Sequence, residues 1–115
     1  MSTQRVGALI VQQTALFSSF IPAIATLATQ HRLPTMHPAR RFVEAGGLMA
    51  YGPNVLALGH RAAVYADKIF KGAKPADLPV EQPTRFEMVI NLKTAKALGL
   101  TIPPSLRLQA DELIQ

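Results

Sequence analysis

The first patterned stretch of the chain is a short apolar run, Val6-Gly7-Ala8-Leu9-Ile10-Val11. Its length and lack of polar interruption predict a strand covered on both faces, as in a parallel sheet. Ser18 or Ser19 followed by Pro22 then reads as a helix start, because a hydroxyl accepts from free first-turn N–H groups and proline needs no partner there. Phe20, Ile21, Ile24, Leu27 and Ala28 place one apolar face on a helix that runs to about His31. A second strand follows over residues 33–37. Strand, helix and strand in this order form a right-handed βαβ crossover.

Further along, residues 40–45 predict one helical turn stopped by Gly46-Gly47, and Leu48-Met49-Ala50-Tyr51 a third short strand. Asn54 is placed to cap the next helix, residues 55–71, where Val55, Leu58, Ala62, Tyr65 and Ile69 recur at three- and four-residue steps. Residues 73–84 hold three prolines and read as an extended connector, since proline fixes φ and cannot donate to a strand ladder. Phe86-Glu87-Met88-Val89-Ile90 predicts a strand, residues 94–98 a short helix ending at Gly99, and residues 105–114 a terminal helix. The whole reads as a single α/β unit over residues 1–115, with no internal repeat.

Composition narrows the function classes. The 115 residues are 49% hydrophobic and 17% charged, the profile of a folded domain. The net charge of +5 is spread along the chain with no dense basic run, and two tyrosines and five phenylalanines give no stacking platform, which argues against a nucleic-acid partner. The absence of cysteine excludes disulfides, thiolate nucleophiles and Cys-ligated metals. Residues 6–30 carry no charge, yet Gln12-Gln13-Thr14 and Ser18-Ser19 divide them. A spanning helix or signal-peptide core needs a continuous apolar run, so neither is expected here.

Several linked segments, in order, resemble a known family. They are Leu33-Pro34, Phe42-Val43-Glu44-Ala45-Gly46-Gly47-Leu48-Met49-Ala50-Tyr51-Gly52-Pro53, residues 71–83 (KGAKPADLPVEQP) and residues 90–103 (INLKTAKALGLTIP). Together they resemble the C-terminal region of ABC transporter substrate-binding proteins related to tryptophan-binding lipoproteins. The resemblance is close from residue 33 onward and looser over residues 6–32. It implies a type I periplasmic-binding-protein-like fold of two hinged α/β lobes with the ligand between them. This chain would then be a parallel-sheet βαβ lobe of such a fold, truncated.

By the same resemblance the function is non-catalytic capture of a small, amino-acid-like solute for an ABC importer. The implied partners are the solute and, in the full-length form, the permease; no cofactor is implied. The implied location is the periplasm or cell envelope, or the cytoplasm if the chain is made as it stands, without a signal peptide. The alternative is a vestigial α/β fragment that self-associates as a homodimer, covering apolar area and strand edges left by a missing lobe.

Ligands of open α/β sheets sit beyond the carboxyl ends of strands, which directs attention to Gln13, Thr14, His37, Tyr51, Gly52 and Asn54. Each has a plainer reading: a solvated loop for Gln13 and Thr14, a surface histidine before proline for His37, a packed ring for Tyr51 and a helix cap for Asn54. The chain also departs from the family pattern. Relatives tend to have an acidic residue near a Pro-Leu-Phe sequence where this chain has Gln12-Gln13-Thr14-Ala15-Leu16-Phe17, Ser where it has Ala50, and Tyr where it has His37. Each of the first two changes removes a polar contact. His31, His37 and His60 lack metal-ligand spacing, no nucleophile-elbow sequence occurs, and Gly46-Gly47 is too short to cradle phosphate, so no enzyme is expected.

Overall fold

The computed structural model describes residues 6–115. Its elements, in chain order, are β1 (Leu9–Ile10), α1 (Ala15–Ser19), α2 (Ile21–Gln30), β2 (Thr35–His37), α3 (Arg40–Glu44), β3 (Met49–Pro53), α4 (Val55–Phe70), β4 (Phe86–Asn91), α5 (Leu92–Ala97), α6 (Pro104–Gln109) and β5 (Glu112–Ile114). They divide into two compact units. One holds residues 6–52 and 87–115, the other Pro53–Phe86.

The first unit is built on a five-stranded, mostly parallel sheet in the order β1-β2-β3-β4-β5. Leu9 lies opposite Thr35, His37 opposite Ala50 and Ile90 opposite Leu113, all in parallel register. The step from β3 to β4 differs. Asn91, the last residue of β4, donates its N–H to the carbonyl of Leu48 just before β3, at 2.8 Å, so these two strands run in opposite directions. The α/β class and the βαβ order expected from the sequence are therefore present, with one reversal added.

Two apolar clusters hold this unit together. Val11, Ile21, Ala25 and Phe42 form one, and Val43, Ala50 and Val89 the other. Although α3 is only five residues long, its Phe42 and Val43 are both fully buried, one in each cluster. Two buried polar side chains are matched to backbone: Thr35 Oγ1 accepts from Leu48 N–H at 3.0 Å, and Asn91 Oδ1 accepts from Thr94 N–H at 2.9 Å, capping α5.

Helices α2, α3, α4 and α5 end in the same way, with paired hydrogen bonds around one left-handed residue. After α3, α4 and α5 that residue is glycine. After α2 it is Arg32 at φ 54°, where a Cβ is unfavourable.

The second unit has no buried residue. Asn54 Oδ1 accepts from Ala57 N–H at 2.7 Å and caps α4, as the sequence leads one to expect. The connector, which contains a single 3-10 turn at Pro75–Asp77, is fastened to the helix by polar contacts. Tyr65 OH donates to Pro79 O at 2.7 Å, Arg61 pairs with Glu81, and Asn54 N–H donates to Arg85 O at 3.1 Å.

Three local expectations are revised. β1 is an edge strand rather than one covered on both faces, with Ile10 78% exposed. The expected first helix is two, broken at Phe20, and Thr14 rather than Ser18 or Ser19 supplies the side-chain cap, at the start of α1. The expected terminal helix stops at Gln109. Asp111 then exchanges hydrogen bonds with the backbone of Met88, which turns residues 112–114 into a fifth strand.

Candidate functional site

Because β1, β2 and β3 are parallel neighbours, their carboxyl ends share one rim of the sheet. Val11 N–H donates to Met36 O at 2.9 Å and His37 lies opposite Ala50, so β1 and β2 finish nearly level while β3 continues three residues further, to Pro53. The loop after β1 carries Gln13 and Thr14, the segment after β2 carries Pro38 to Arg40, and Tyr51 with Gly52 lie in the last part of β3 itself. Five of the six candidate residues thus belong to one rim. Asn54 belongs to the second unit and is accounted for there by its cap.

Each rim residue has a definite setting. Gln13 is exposed in the loop after β1. Thr14, also exposed, has its hydroxyl engaged as acceptor from Phe17 N–H at 3.1 Å. Tyr51 is 45% exposed, so part of the residue faces outward from the rim. Gly52 is buried, and a Cβ there would run into the carbonyl oxygen of Pro38, so β3 and the segment after β2 touch backbone to backbone only because position 52 has no side chain.

His37 is not the surface histidine that its place before proline suggests. It is fully buried, its ring stacked on Phe42 at 5.0 Å with 13° between planes. Nδ1 accepts from Ala39 N–H at 2.8 Å, which in the neutral ring leaves the proton on Nε2; that atom is buried with no hydrogen-bond partner among the described residues. Burial pushes the imidazole pKa below its usual value, and the positive charge of Arg41 acts in the same direction. Its role at the rim is to fix the turn through Pro38 and Ala39.

Sequence reasoning missed Arg40 and Glu112. Reversal of the chain between β3 and β4 brings the start of β5 to the rim where β1, β2 and β3 end. There Arg40 Nη2 donates to Glu112 Oε1 at 2.8 Å, Nη1 engages Oε2, and Nε donates to Glu44 Oε1 at 2.8 Å. These hydrogen bonds hold the Arg40 pKa above its ordinary value. The partners are 72 positions apart, and no local pattern announces the pair. Among the described residues no group of three or more His, Asp or Glu could hold a metal ion, and no helix is long and apolar enough to cross a membrane.

A mostly parallel α/β sheet with loops gathered at one rim is the architecture of ligand-binding lobes. The family model for ABC transporter substrate binding proteins matches residues 1–114, and this chain belongs to that family. It is 33% identical to the ABC domain solved in complex with L-Trp from Streptococcus pneumoniae, with a TM-score of 0.89 over 98% of this chain and 38% of that one. A conserved domain protein from Vibrio cholerae O1 biovar El Tor gives 26% identity and a TM-score of 0.89 over 95% of this chain and 37% of that one. A protein from Clostridioides difficile named tyrosine-binding protein is 27% identical over 96 residues, 84% of this chain and 28% of its own length. The chain thus spans between a quarter and two fifths of the length of these relatives.

Proposed function

We propose that this chain supplies part of a solute-binding component of an ABC importer, and that its rim forms one side of a cleft that captures a small amino acid-like molecule without chemical change. The observation that carries the reading is the gathering of three parallel carboxyl ends on one rim, with Gln13 and Thr14 in the loop after β1, Tyr51 on the part of β3 that runs past β2, and Gly52 permitting close backbone approach. The names of two relatives, one bound to L-Trp and one called tyrosine-binding, favour an aromatic amino acid as solute. Tyr51 offers a ring face for stacking, and Gln13 an amide that both donates and accepts.

In this reading the opposite wall and the contact with the permease come from sequence that the relatives have and the matched third does not. Closure around the solute follows from contacts made by both walls together. His37 supports the rim from behind rather than touching solute, and Asn54 acts as a helix cap. The proposed location is the periplasm or cell envelope.

The test is a titration of the isotopically labelled chain with L-tryptophan, L-tyrosine and, as a control, L-glutamate, followed by amide NMR shifts. Shifts confined to residues 12–14, 38–40 and 51–52 with an aromatic amino acid, reduced by Tyr51→Ala, are the expected result. Shifts that map elsewhere, or none up to the solubility limit, would remove the reading.

A further inference from the structure

The last residue of β2 is a fully buried histidine, and its two ring nitrogens are differently placed. Nδ1 of His37 accepts from the N–H of Ala39, two residues on, so the ring closes the kind of turn that an asparagine side chain closes in an Asx-turn. Nε2 is buried with no partner among the described residues, and one face of the ring lies against Phe42. Pro38 has no N–H, and that of Ala39 goes to the ring, so neither residue donates to a strand ladder. The imidazole is thus the side-chain tie on a turn whose Pro38 carbonyl abuts Gly52 of β3.

We propose that His37 is an acid-released latch on the rim. When the ring takes a proton from solvent onto Nδ1, it gives up Ala39 N–H and leaves its place against Phe42, and the turn through Pro38 and Ala39 comes free while the strands stay paired. A charged ring in the closed position would aim one N–H at that of Ala39 and leave the other without an acceptor, and buried donors left in that way are costly. Outside, water answers both.

The surrounding charges favour release. β1 and α2 carry no titratable side chain, and neither do the other two residues of β2. β3 offers Tyr51, next to the Ala50 that lies opposite His37. α3 offers Arg40, Arg41 and Glu44, and β5 Glu112. Both carboxylates are held by Arg40, and burial together with the like charge of Arg41 opposes an imidazolium in this place. The inference concerns the state of the rim and holds whether or not the rim captures solute.

Amide hydrogen exchange of the whole chain reads the latch. Between about pH 6.5 and about pH 5, above the carboxylate range, protection of Ala39 N–H, corrected for the intrinsic rate, should fall by about tenfold per pH unit, as linkage to one proton requires. Low urea should leave that opening unchanged. It should speed exchange at Val11 and Asn91, whose N–H groups bond across the sheet to Met36 and Leu48 and report its unfolding. His37→Asn keeps an acceptor for the same N–H without a titrating group, so Ala39 should stay protected and lose its pH dependence. Ala39 protection independent of pH in the native chain would overturn the proposal. So would an Ala39 opening that follows Val11 and Asn91 in urea, which would make it part of unfolding, or a pH dependence that survives in His37→Asn.

Discussion

The two units of this chain reach order by different means. The sheet unit encloses Phe42, Val43, Ile90 and His37 almost completely and matches its buried Thr35 and Asn91 to backbone. The helical unit, Pro53–Phe86, contains no buried residue and holds its connector to α4 through one ion pair and a few hydrogen bonds at the surface. Apolar content does not separate them, since α4 is as rich in Val, Leu, Ile and Ala as the strands are. What separates them is whether an apolar face finds another one within the chain. Burial contributes roughly 25 cal/mol per Å² removed from water, and surface ion pairs contribute little. The sheet unit is therefore expected to carry the cooperative stability, and the helical unit to open more readily.

The largest effect that tests this contrast comes from the same substitution made in each unit. Phe42→Ala removes a fully buried ring and should lower unfolding free energy by about 3–5 kcal/mol in urea titrations. Phe70→Ala, at a ring 89% exposed, should change it by no more than about 0.5 kcal/mol. Equal effects would mean that the helical unit has a core after all.

A second test uses pH. His37 has its pKa lowered by burial, so between the folded value and the unfolded value of about 6.5 the unfolded chain binds the extra proton. The stabilising contribution is complete above that upper value and is lost as pH falls through the folded one. Protonation would also convert Nδ1 from acceptor to donor against Ala39 N–H. The urea midpoint should thus fall on acidification from neutral pH, and more steeply for the native chain than for His37→Phe. Parallel pH curves for the two proteins would place the acid sensitivity at another group.

The smallest expected effect has the opposite sign. Arg32→Gly relieves the left-handed position after α2 and should stabilise the sheet unit by about 0.5–1 kcal/mol, read as a higher melting temperature. A loss of stability would show that the Arg32 side chain contributes more than its backbone conformation costs.

Much of this arrangement could be read from local pattern. The βαβ start, α4 with its Asn54 cap, the strand at Phe86–Asn91 and the glycine stops depend on neighbours a few residues apart, and that information lies in the sequence. Apart from the local cap at Thr14, which displaces Ser18 and Ser19, the misses are non-local. Residues 105–114 have the composition of a helix, and only the exchange between Asp111 and Met88, 23 positions away, makes the end a strand. The period of α4 reveals an apolar face but not whether anything covers it. His37 stands before a proline, commonly an exposed position, and its burial depends on the Phe42 ring folding over it. At the rim, Gln13, Thr14, Tyr51 and Gly52 followed from strand ends, whereas Arg40 with Glu112 required knowing that the chain reverses.

That reversal also decides what Arg40 is free to do at the rim. Because β5 delivers Glu112 to it, the guanidinium of Arg40 is already neutralised and oriented, so little of its charge is left for an approaching anion. In the proposed reading Arg40 therefore acts as a brace rather than as a receptor for a carboxylate, and a solute's carboxylate would be answered by another group.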